Sequence, residues 1–236
     1  MKNSKTIGWL ILAGAIGVLI PYTILTTIFE YPDVLRQDTA SILTKFHAGG
    51  NKLIWTWFAF ALIGLPLIPA FILIGQTVEQ KVPSMRVATT IGVIGLIVQM
   101  VGLLRWTFVI PVLSNAYVTA TDDATKAACV VAFKTIHQFG GVLLGEHLGQ
   151  LFTIIWTIML SMTFSRLKLF AGWIHGLGLV SALIYLLAQA ELLATVIPGL
   201  PVWYMAGFIG STLWLLWLII IGIGFIRIKT PVDHLN

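Results

Sequence analysis

Polar residues are sparse and clustered along this chain, and between the clusters lie six apolar runs: Ile7 to Phe29, Leu53 to Gly75, Ala88 to Leu113, Gly140 to Thr163, Ala171 to Thr195 and Trp203 to Phe225. Each is long enough for an α-helix to cross a hydrocarbon layer about 30 Å thick. None alternates in steps of two as barrel strands do, and a bilayer interior offers backbone groups no water, so the pattern predicts helices. The expected fold is all-α: residues 1–236 form one transmembrane domain of six helices, with short amphipathic helices on its outer side.

The connections predict those outer helices. Tyr31-Pro32-Asp33 reads as a turn, and Asp38 or Thr39 as the cap of a short helix with Ile42, Leu43 and Phe46 on one face, stopped by Gly49 and Gly50. Such a helix would lie across the outer mouth as a lid, or serve only as a tether between spans. Thr121-Asp122-Asp123 reads as a second start, its carboxylates in the first turn where the helix dipole favours them. Helix should follow from Ala124 to Phe139, with a bend at Gly140-Gly141. Pro21, Pro111 and Pro198 should end or kink helices, while Pro66 and Pro69 should distort the second span. No repeat relates the first three helices to the last three.

Composition agrees, since the chain is 58% hydrophobic and 10% charged with a mean hydropathy of +0.96, whereas roughly a quarter of a soluble domain is charged. The net charge of +5 is topological. Lys2, Lys5, Lys81, Arg86, Arg166, Lys168, Arg227 and Lys229 fall on the side holding both ends, in the shorter segments; Arg36, Lys45, Lys52, Lys126 and Lys134 fall on the other. The positive-inside rule then places both termini in the cytoplasm. With no soluble basic domain there is no reason to expect a nucleic-acid partner. The amino-terminal run imitates a secretory signal, but it is too long and lacks small residues at a cleavage position, so it should stay. Trp9 and Trp173 at inner ends, and Tyr22, Trp55, Trp57, Trp203 and Tyr204 at outer ends, read as interfacial belts. The single cysteine, Cys129, falls in an external segment and cannot form an internal disulfide.

Charge inside an apolar run marks the first candidate for function. On the predicted spans Arg105 lies about 12 Å from the outer end of the third helix and Glu146 about 9 Å into the fourth, at 1.5 Å per residue. Opposite charges at similar depth suit an ion pair, either as part of a site or only as a tie between two helices, unless Arg105 snorkels to the outer headgroups. Glu146, Gln150, Thr153, Thr157 and Ser161 recur in steps of three and four, one face of an α-helix, and this stripe could line a hydrated path. Gly141, Gly145 and Gly149 form a seam that admits a neighbouring backbone. His175, Gly178, Ala182, Tyr185 and Gln189 share a face of the fifth helix, and Gln99 reads as interhelical glue. The candidate ligand site is therefore Arg105, Glu146 and Gln150, with His147 beside them.

The histidines raise a metal or haem alternative. Glu146 and His147 are adjacent and point about 100° apart, not the spacing by which one helix holds a metal, so a centre would need His47, His137 and His147 to converge. No cofactor is required by the sequence, and no GxSxG, HExxH, Walker or CxxC motif identifies an enzyme.

Three segments, Tyr31-Pro32-Asp33-Val34-Leu35-Arg36, Leu104-Arg105-Trp106-Thr107-Phe108-Val109-Ile110-Pro111-Val112-Leu113 and Gly145-Glu146-His147-Leu148-Gly149-Gln150, resemble an uncharacterised family of bacterial six-helix membrane proteins, catalogued as a domain of unknown function. The resemblance implies a bacterial inner-membrane location and no activity. The functions that remain are binding and passage of a small polar or amphipathic ligand in the bilayer, a membrane-embedded metal or haem enzyme, and a scaffold or sensor subunit. An oligomer is compatible with all three.

Overall fold

A computed structural model describes residues 3–228, so Lys2, Lys229 and His234 lie outside the described residues. Within them the chain is helical, with no strand. In order come α1 (Ser4–Phe29), a 3-10 turn (Asp33–Arg36), α2 (Thr39–Leu62), α3 (Leu67–Val78), α4 (Ser84–Phe108), α5 (Ile110–Thr119), α6 (Asp123–Ile136), a π-helix (His137–Leu148), α7 (Gly149–Leu167), α8 (Gly172–Leu187), α9 (Gln189–Ala194) and α10 (Ala206–Arg227). Joined end to end, they make six segments long and apolar enough to cross a membrane, as a multi-pass membrane protein requires.

The interruptions have local causes. Pro66 precedes the first residue of α3, so the proline pair divides the second segment, because neither proline can donate to the preceding turn. Pro111 divides the third segment in the same way, with the break at Val109. Pro21 departs from expectation: α1 runs through it to Phe29, and membrane helices tolerate an internal proline when neighbouring groups re-satisfy the freed carbonyl. Asp38 caps α2 by accepting from Ser41 N at 3.0 Å, and Asp122 caps α6 by accepting from Thr125 N at 2.7 Å. Gly50, at φ +54°, breaks α2 where the sequence places a stop, in a region of backbone space that only glycine enters at low cost.

The chain forms two compact units, one from residues up to Ile16, Gly64–Leu96 and from Leu151 on, the other from Gly17–Ile63 and Ile97–Gln150. In the first, Trp156 stacks on Phe71 with centroids 3.6 Å apart, and Trp217 meets its edge at 6.0 Å. The α8 and α10 helices pack closely: Trp217 Nε1 donates to Ile174 O at 3.0 Å, and Gly210 lies against the Tyr185 backbone. Thr153, Thr157 and Ser161 are buried here, and they do not line an open path. The Thr157 hydroxyl donates to Thr153 O at 2.8 Å and accepts from Trp214 Nε1 at 2.9 Å, while Ser161 abuts Gly178. Threonine hydroxyls commonly bond their own helix in this way, so the lower stripe is packing. On α8, His175, Gly178 and Ala182, which share the face read from the sequence, are buried.

The second unit is built on aromatic rings. Trp57 and Trp106 stack with centroids 4.8 Å apart and planes 11° from parallel; Phe29 and Phe46 close around them at 5.6 Å and 5.7 Å from Trp106. Trp57 is fully buried, so it is a core residue and not part of an interfacial belt, whereas Trp55 is 67% exposed and suits one. Ile42, Leu43 and Phe46 bury the predicted face of α2. At its foot, Glu30 accepts from Lys45 Nζ at 2.7 Å and from Gln37 Nε2 at 3.0 Å, and these partners hold its carboxyl below the usual carboxylate range. Cys129 is free and buried.

Glycine contacts make one sign test. A Cβ on Gly210 would sit 2.7 Å from the backbone of Tyr185, whereas one on Gly176 meets nothing within 4 Å. Gly210→Ala should lose about 1–3 kcal/mol to overpacking, and Gly176→Ala should leave stability unchanged or raise it by up to about 1 kcal/mol through helix propensity. Thermal melting of the two variants in detergent checks both signs.

Candidate functional site around Arg105

Arg105 owes its position to Pro111. The break at Val109 ends α4 at Phe108 and puts Arg105 in the last turn, where the unsatisfied carbonyls and the dipole favour a cation. Its Nη1 donates to Gly102 O, and its guanidinium carbon lies 5.3 Å from the Trp106 ring centroid. The side chain is 7% exposed. What the sequence placed part-way along a span is the charged end of a helix.

The expected bend at Gly140-Gly141 is replaced by a wider helix over His137–Leu148. Its i→i+5 bonding gives roughly 4.4 residues per turn instead of 3.6. That changes which residues share a face. In an α-helix His137 and Glu146, nine residues apart, would point in opposite directions; at the π repeat they fall together, with Gly141 between them and Gln150 next in line. The residues bonded or pressed to Arg105 come from this face.

Contacts with α4 form three rungs. Gln99 Nε2 donates to Gly149 O at 3.0 Å. Gly102 is so close to the π-helix that a Cβ would stand 2.5 Å from Gly145 Cα and 2.7 Å from Gly140 O. The Arg105 guanidinium lies flat on Gly141, 2.5–3.2 Å from where a Cβ would be. Steps of three on α4 thus match steps of four on the partner. Three residues of α4 advance about 4.5 Å, and a helix with more residues in each turn advances less per residue, so four of its residues keep pace. The glycine seam read from the sequence is real, and its register depends on the π geometry.

Around the guanidinium stand His137, Glu146 and Tyr31. Arg105 Nη2 faces His137 Nδ1 at 3.5 Å, and as arginine has only donors, that nitrogen is the accepting one and the imidazole proton sits on Nε2. The ring stacks on Phe133 at 5.4 Å, planes 12° apart. Glu146 acts electrostatically on both Arg105 and the Tyr31 phenol. Burial pushes that phenol above its usual range, and the Glu146 charge adds to the rise.

The other candidate residues separate. Gln150 is partly buried on the Glu146 face, and His147 is partly buried but turned roughly 80° round the π-helix from Glu146. His47 is exposed. Among the described residues no three His, Cys, Asp or Glu side chains could hold a metal together, so His47, His137 and His147 do not converge on one; His137 faces Arg105. The sequence reading missed Tyr31 and Trp106 as neighbours of Arg105, and Trp57 as the ring stacked on Trp106. A signal existed in the adjacency of Arg105 and Trp106, which nothing tied to Trp57.

The family described as a domain of unknown function, DUF4386, matches residues 6–222. The chain belongs to it. No curated protein and no solved structure matches. The DUF4386 match contains every residue of the Arg105 neighbourhood, and the family's description carries no activity to transfer.

The seat of Arg105 on Gly141 is testable. Gly141→Ala should displace the guanidinium and lower the melting temperature, since its Cβ would meet Nη2 at 2.5 Å. In an Arg105→Met background the same change should cost far less, because contacting residues couple by roughly 0.5–3 kcal/mol. Equal losses in both backgrounds would show that Arg105 does not rest there.

Proposed function

We propose that this DUF4386 protein binds a small polar or amphipathic ligand, and carries it through the bilayer, at an outward-facing site made by Arg105, Glu146 and Gln150, with His147 beside it. The observation that carries this reading is the buried guanidinium itself. Arg105 is 7% exposed and its Nε has no hydrogen-bond partner among the described residues, although a charged group within an apolar span is costly and is usually kept for use. Glu146 is the counter-charge and can exchange a proton as ligand enters. The α2 segment before Gly50 covers the aromatic wall as a lid. The excess of Lys and Arg in the short connections supports cytoplasmic termini in a bacterial inner membrane.

Two measurements test it. Breaking one side of a buried pair typically costs about 3–5 kcal/mol, whereas neutralising both is milder. Arg105→Gln and Glu146→Gln should each lower the melting temperature more than the double variant does; additive losses would mean that the two charges act independently. In a Cys129→Ser background, Glu146→Cys and Gln150→Cys should react with a membrane-impermeant thiol reagent added from outside, and buried Thr153→Cys should not. No labelling at either of the first two positions would close the site to the outside.

A further inference from the structure

The neighbourhood of Arg105 holds one cation and one carboxylate, so charge alone does not choose between an anionic and a cationic ligand. The orphaned atoms do. Among the described residues, Arg105 Nε and Trp57 Nε1 are buried and have no hydrogen-bond partner, on side chains 7% and 0% exposed. Both atoms carry a proton and no usable lone pair, so each can only donate. An unmet buried donor is costly, and only an acceptor relieves it.

The two side chains belong to one cluster. Trp57 stacks on Trp106 at 4.8 Å, and the Arg105 guanidinium carbon is 5.3 Å from the Trp106 ring. Tyr31 lies edge-on to Trp57 at 5.2 Å and interacts electrostatically with Arg105. Phe29, Phe46 and Phe60 complete an apolar surround. An ammonium group would add donors where donors are already unmet, whereas a carboxylate or phosphate brings several acceptors and matches the guanidinium in charge.

Building on the binding role proposed above, we infer that the ligand is an amphiphile with an anionic oxygen head, carboxylate or phosphate, received by Arg105 Nε and Trp57 Nε1. Trp57 is thereby a binding residue in addition to a core ring. Its indole N–H fixes the head, and its face holds the aromatic stack.

The test uses the full chain in a non-ionic detergent, with melting temperature read against octanoate, octyl phosphate, inorganic phosphate, octyltrimethylammonium and octanol. The two anionic amphiphiles should raise the melting temperature saturably, and the ammonium and the alcohol should not. A response to inorganic phosphate as well would assign the site to a soluble oxyanion; a response to the amphiphiles alone assigns it to a lipid-like one. Trp57→Phe keeps the ring and removes the donor, and should weaken the anion response about tenfold, as expected for a hydrogen bond to a charged group. Arg105→Lys keeps the charge, loses the Nε donor and should weaken it similarly. Stabilisation by the ammonium compound in place of the anions, or anion responses unchanged in both variants, overturns the inference. The thiol-labelling experiment above judges the outward-facing site separately, so an open site without an anion response defeats only the choice of ligand.

Discussion

Backbone contact between Gly102 and Gly145 is the constraint on which the second unit rests. No side chain stands between the two Cα atoms, so α4 and the π-helix approach closely enough for Arg105 to lie on Gly141 and for Gln99 to reach Gly149 O. An arginine placed against backbone has few options. Its charge is met by the carbonyl end of its own helix, by His137 and by Glu146, while its flat face presses on a glycine. Close packing here is the device that keeps a buried cation tolerable.

The π-helix decides which residues benefit. A wider repeat is rarely extended over twelve residues, and such segments tend to mark functional positions. Here it performs two tasks at once: it turns His137 and Glu146 to the same side, and it shortens the advance per residue so that glycines spaced by four meet residues spaced by three. The aromatic stack beside it supplies a rigid wall. Trp106, stacked on Trp57, lies 5.3 Å from the Arg105 guanidinium carbon, and the π-helix meets the same side chain at Gly141 and His137.

Much of the fold was legible in the sequence because its causes are local. Six apolar lengths are each one continuous stretch of chain, and two aspartate caps, the stop at Gly50 and the break at Pro66 depend on residues within a turn or so of one another. Arg105 and Glu146 were each legible as a charge that an apolar run does not keep without cause, and Glu146 acts electrostatically on Arg105. The phase of the fourth segment was not legible. Hydrophobic periodicity presumes 3.6 residues per turn, and nothing in His137 to Leu148 announces a wider repeat, because glycine permits π geometry without requiring it. The stripe from Glu146 to Ser161 reads as one face at that repeat, although Glu146 lies on the π-helix and acts on Arg105, while Thr157 and Ser161 pack against Trp214 and Gly178. The place of Trp57 near the end of a run suggests an interface, and only tertiary packing reveals it as core.

The arrangement of Arg105 also bears on how the protein is made. On a helix entering the bilayer alone, an arginine costs about 2.5–3.5 kcal/mol at the centre of the span, and here the groups that compensate it, His137, Glu146 and the bare surface of Gly141, come from the next segment to leave the ribosome. The third and fourth segments therefore have reason to enter together as a helical hairpin. Biogenesis would then pair these two helices before the last two segments are translated.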